Sequence, residues 1–71
     1  MLGFVIKYNR KTGKVQYAQF PDLKTATKKR MQLEKNRMED EEIISVTGNS
    51  LAEIESTHSR YFARDEGSLL T

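Results

Sequence analysis

Hydrophobic and polar positions alternate from Gly3 to Asn9, with Phe4, Ile6 and Tyr8 on one face and Val5, Lys7 and Asn9 on the other. That period of two is the mark of a half-buried strand. Asn9-Arg10-Lys11-Thr12-Gly13-Lys14 follows as a tight hairpin, with Gly13 in the left-handed conformation that ends a four-residue loop built on a type I turn. Taking Arg10 to Gly13 as the loop sets Tyr8 opposite Val15, Ile6 opposite Tyr17 and Phe4 opposite Gln19. Phe4, Ile6, Tyr8, Val15 and Tyr17 are then expected to lie under a covering helix. Val5, Lys7, Gln16, Ala18 and Phe20 form a mixed, partly exposed second face.

The period changes at Pro21, which breaks the strand and biases Phe20 toward extended backbone. Asp22 is an N-cap whose carboxylate can accept from first-turn amides. From Leu23 to Met38 there is no Gly or Pro, and Lys, Arg, Gln, Glu and Met recur, so one long helix is predicted. At about 100° per residue, Leu23, Ala26, Thr27, Arg30, Met31, Leu33, Glu34, Arg37 and Met38 share its inner side. Lys24, Thr25, Lys28, Lys29, Gln32, Lys35 and Asn36 share the outer side. The acidic run Glu39-Asp40-Glu41-Glu42 opposes the helix macrodipole and is expected to end the helix and form a solvated turn. Ile43, Ile44 and Val46 mark a β-branched strand over Glu42–Thr47, closed by Gly48. Ser50-Leu51-Ala52-Glu53 is a capping box, with Glu53 expected to reach back to the Ser50 amide. The helix it opens runs to about Phe62, with Leu51, Ile54, His58 and Tyr61 on one side.

The order β-β-α-β-α, with a right-handed return to the third strand, predicts an α+β fold. In it a three-stranded antiparallel sheet of order 2-1-3 is covered by the long helix and completed by a short C-terminal one. Residues 1–64 form the single domain, and the aperiodic tail 65–71 is expected to be disordered. A domain of 71 residues buries only roughly 60% of its unfolded surface and holds a few kcal/mol of net stability.

Composition narrows the chemistry. With no cysteine, neither a disulfide nor a thiolate metal site is available. The N-terminus, Met1 to Ile6, lacks a basic n-region and meets a charge at Lys7, which argues against a signal peptide or membrane span. A soluble, cytoplasmic protein is expected. Net charge is +2, but it is segregated. Residues 1–37 hold ten Lys/Arg against Asp22 and Glu34, a net +8, while residues 38–71 hold Arg60 and Arg64 against eight acids, a net −6. Such asymmetry hints at an interaction surface, unless the halves neutralise each other in the fold.

Catalysis is not expected. The only histidine, His58, sits at a packing spacing, and nucleophilic chemistry needs a third group to orient such a base. Thr12-Gly13-Lys14 lacks the full phosphate-loop pattern, the acidic run lacks calcium-loop spacing, and no cofactor or metal is implied. Arg30, Glu34, Arg37 and His58 are a possible polar cluster, with an i,i+4 ion pair between Arg30 and Glu34 as its plainest reading. Arg10, Lys11 and Lys14 crowd the hairpin tip, and Lys24, Lys28 and Lys35 stripe the outer helix with Lys29 at its edge. Phosphate backbones attract such patches through counterion release, and Tyr8, Tyr17 and Phe20 would stack on bases if exposed. Nucleic-acid backbone contact without sequence readout is therefore one expectation. The other is a protein-interaction module (an adaptor, inhibitor or homodimer) that uses an open sheet face, a free strand edge and the opposite-sign ends.

Overall fold

A computed structural model describes residues 1–70. Strands β1 (Leu2–Asn9) and β2 (Val15–Phe20) form the hairpin, followed by helix α1 (Leu23–Glu34) and strand β3 (Glu41–Gly48). Helix α2 (Leu51–Thr57), a 3₁₀ turn (Ser59–Phe62) and a two-residue strand β4 (Ser68–Leu69) complete the chain. The sheet order is β3-β1-β2-β4, with β1 antiparallel to both its neighbours and β4 parallel to β2.

The hairpin register is the expected one: Tyr8 pairs with Val15, Ile6 with Tyr17 and Phe4 with Gln19. Asn9 Oδ1 accepts from the amides of Lys11 at 2.9 Å and Thr12 at 3.0 Å, and Gly13 takes φ +79°. Both helix caps also form. Asp22 accepts from Thr25 N–H at 2.8 Å, and Ser50 Oγ from Glu53 N–H at 3.2 Å. Glu53 reaches back one residue further than expected, accepting from Asn49 N–H at 3.1 Å rather than from Ser50.

The sheet is covered on both sides, and the two helices are exchanged relative to expectation. Phe4, Ile6 and Val15 pack against Ile54 and Tyr61, so α2 and the 3₁₀ turn cover the strongly apolar face. Helix α1 lies over the opposite face, on Val5 and Ile43, with Ala26 as its buried residue. Gly3 makes this docking possible: a Cβ there would stand 2.1 Å from the Asp22 carbonyl oxygen and 2.9 Å from Ala26 Cβ. Alternation along β1 reveals two faces but not which helix takes which. The larger apolar set went to α2 and the 3₁₀ turn, whose Leu51, Ile54 and Tyr61 match it.

Two boundaries and the burial of two helix residues differ as well. Helix α1 ends at Glu34 instead of Met38, because Asn36 and Arg37 amides turn back to the Leu33 and Glu34 carbonyls in tighter i,i+3 bonds. Leu23 and Met31, assigned to the inner side, are exposed. Residues 65–70 are not a loose tail: Asp65 accepts from Val15 N–H at 3.0 Å, Gly67 turns at φ +94°, and Leu70 N–H donates to Tyr17 O at 2.8 Å. A two-residue strand is too short to show periodicity. Thr71, the end of the segment expected to be disordered, lies outside the described residues.

Candidate functional site

The charges separate by what they bond. Three ion pairs form among the described residues: Lys7–Glu41 at 3.2 Å, Arg30–Glu34 at 2.7 Å and Arg60–Glu42 at 2.7 Å. Only the first joins the basic half to the acidic half, so mutual neutralisation of the halves is slight. Asp22, Glu53 and Asp65 instead accept from backbone amides. Arg10, Arg37 and Arg64 donate to backbone carbonyls, of Glu39, Glu41 and Arg10 respectively. Among the described residues the charged side chains left with no ion pair or hydrogen bond are Lys11, Lys14, Lys24, Lys28, Lys29 and Lys35, and the carboxylates of Glu39, Asp40, Glu55 and Glu66.

Lys24, Lys28 and Lys35 are exposed on α1 and its C-cap, and Lys29 is half-buried at the helix edge. Arg10, Lys11 and Lys14 are exposed on the hairpin. The C-terminal end of α1, with Lys35, approaches the hairpin, while Lys24 lies at the opposite end of the helix. Helix α1 starts beside Gly3 and finishes near Glu41, and Glu41 pairs with Asn9 at the base of the hairpin loop. Arg10, Glu34, Arg37, Glu41 and Glu42 line one open depression of about 400 Å³ there. Arg64 joins the hairpin tip, its guanidinium donating to the Arg10 and Lys11 carbonyls at 3.4 and 3.5 Å. Its side chain fills the space that Gly13 leaves by lacking a Cβ. No local sequence signal marks Arg64, which reaches the loop across 54 residues.

Two carboxyls carry shifted acidities. Thr25, through its amide and then its hydroxyl, holds Asp22 below the usual carboxylate range, and Lys24 and Lys28 add to that. Burial pushes Glu41 up, but the Met38 amide at 2.9 Å, Lys7 and Arg37 together outweigh it, and the net direction is down.

The expected polar cluster comes together only in part. Arg30 bonds Glu34 and also donates to Ser45 Oγ at 3.2 Å, and Arg37 lines the same depression as Glu34. His58 does not join them, because α2 lies across the sheet from α1. Its Nδ1 is 2.9 Å from Thr57 Oγ1, whose own proton goes to the Glu53 carbonyl at 3.0 Å.

Tyr8, Tyr17 and Phe20 are built into the packing instead of forming a stacking platform. Tyr8 meets Tyr61 edge-on with centroids 5.2 Å apart, Tyr17 flanks Gly67, and Phe20 packs with Val5, Ala26 and Ile43. The open sheet face expected of an interaction module is likewise closed by the helices. Among the described residues no helix is long and apolar enough to cross a membrane, and no three His, Asp or Glu side chains converge on a metal position. Compared with known proteins, the chain matches no family model, no curated protein and no solved structure.

Proposed function

We propose that this chain is a small binding module that contacts nucleic-acid backbones, without reading sequence, through the outer face of α1 and the basic hairpin tip. The observation that supports this reading is the set of six unpartnered lysines, all in residues 11–35. Three of the seven carboxylates outside ion pairs are engaged by backbone amides and none of the other four bonds a lysine among the described residues, so these cations stay available to an external anion. Lys24 to Lys35 span about 17 Å of helix, a length over which a duplex presents roughly ten phosphates. With the aromatic rings packed away, affinity rests on charge, and double-stranded nucleic acid binds at least as well as single-stranded.

Fluorescence anisotropy of a labelled duplex, titrated with the protein at several salt concentrations, tests this. Affinity is expected to fall steeply and linearly in log–log form. Each Lys→Gln change at Lys24, Lys28 or Lys35 lowers the slope by about one. Absence of binding at low salt would overturn the reading.

A further inference from the structure

The two edges of the sheet are treated differently. Along β2, β4 pairs with Gln16 and Tyr17. Along β3, no further strand is present among the described residues. Which β3 groups point outward follows from its hydrogen bonds. Arg10 N–H donates to Asp40 O at 2.8 Å, and the antiparallel register repeats that bonded pairing at every second residue. Glu42, Ile44, Val46 and Gly48 thus turn their backbone groups toward β1, while Glu41, Ile43, Ser45 and Thr47 turn theirs away. The phase is confirmed at Glu41, whose outward N–H donates to Met38 O at 3.1 Å and whose outward carbonyl accepts from Arg37 at 2.7 Å. The edge is closed there. At Ile43, Ser45 and Thr47 the outward backbone groups have no hydrogen-bond partner among the described residues, although the Ile43 side chain is itself buried. Unpaired groups on a β-branched edge without Pro or Lys are a template for another strand.

We propose that a second copy of this chain docks on that edge, β3 antiparallel to β3 about a two-fold axis at Ser45. Ser45 pairs with Ser45 of the second copy and Ile43 with Thr47, a ladder of about six hydrogen bonds that uses every open group. The intervening pairs set Ile44 against Val46, two β-branched side chains. Glu42 falls opposite Gly48, so no like charges meet, and Glu41 and Glu42 already have Lys7 and Arg60 as partners.

A separate feature of α1 has the same symmetry. Thr27 Oγ1 and Arg30 Nε both lie 3.2 Å from Ser45 Oγ, so this flank of the helix overhangs β3. Leu23, Thr27 and Met31 follow at i, i+4 and i+8 along that flank. Leu23 is 43% and Met31 56% exposed. The centre of this row sits on the centre of the open edge. The axis at Ser45 therefore lays α1 antiparallel to its copy, with Leu23 against Met31. At ordinary strand spacing the helices stand roughly 10 Å apart, a packing distance. Because the axis is perpendicular to the sheet, both lysine faces stand on one side. Self-association is measured without nucleic acid, so it and the proposed function can fail separately.

The test is sedimentation equilibrium of the whole chain from micromolar to millimolar concentration, with amide hydrogen exchange over the same range. A dimer is expected, and the amides of Ile43, Ser45 and Thr47 gain at least about tenfold protection as it forms. Thr47→Pro removes an outward donor without touching the β1 ladder, and Met31→Glu charges the exposed row. Each weakens association at least about tenfold. Met31→Glu changes only a surface position, so it keeps the test valid should Thr47→Pro fail to fold. A chain that stays monomeric at millimolar concentration, or a dimer that neither substitution weakens, overturns the proposal.

Discussion

The two faces of the sheet are covered by helices of opposite character. Under α2 and the 3₁₀ turn, seven and four residues long, lies a core of Phe4, Ile6, Val15, Ile54 and Tyr61. Under α1, twelve residues long, the buried set is only Val5, Ala26 and Ile43. The short cover stabilises by burial, while the long one is held by local devices: the Asp22 cap, the close approach at Gly3 and polar bonds to Ser45. A helix that is polar nearly all round contributes little to a core. That leaves its surface free to carry charge for another purpose.

The sharpest way to break the comparison is to remove one apolar side chain from each cover. Ile54→Ala is expected to cost about 3–4 kcal/mol, close to the whole stability of a domain this small. Leu33→Ala, half-buried under α1, should cost about 1 kcal/mol. Thermal and urea unfolding would measure both, and equal losses would erase the distinction. Next in size is Gly3→Ala, about 2–3 kcal/mol, because the new methyl group collides with backbone at Asp22. Circular dichroism should show helix signal lost ahead of the β-sheet, since α1 must lift off first.

Acid supplies a smaller perturbation. The Glu41 carboxyl is more acidic in the folded chain than its ordinary value of 4.5. The unfolded chain therefore takes up the proton first, and the stabilisation is complete above that ordinary value. It is lost as pH falls through the folded value. Glu41→Gln should flatten the acid limb of a stability–pH profile below about 4.5 while leaving it unchanged in shape near neutrality. An acid limb of the same steepness would show that the Lys7–Glu41 pair and the Met38 contact contribute nothing.

How much of this was legible follows from the range of each signal. The hairpin register, Gly13 and the two N-caps were readable because each is fixed within a few neighbouring residues. The sidedness of α1 was not. Alternation along β1 and periodicity along α1 are both local, and neither says which apolar set meets which. The chain past the early end of α1 is held by Arg37 reaching Glu41, and residues 65–70 by Asp65 reaching Val15. Neither contact leaves a pattern in the sequence. The lysines of the candidate site were legible by composition and spacing, but their lack of partners could be seen only once every carboxylate had been placed. His58 was grouped with Arg30 by charge and polarity alone, and the intervening sheet separates them.

The most direct test of this division of labour is the triple variant Lys24→Glu, Lys28→Glu, Lys35→Glu, with duplex binding and thermal unfolding measured on the same sample. Binding is expected to be lost while the melting temperature moves by no more than the equivalent of about 0.5 kcal/mol, as for surface substitutions elsewhere. Binding that survives the charge reversal would contradict that division, and so would a melting temperature that falls as far as that of Ile54→Ala.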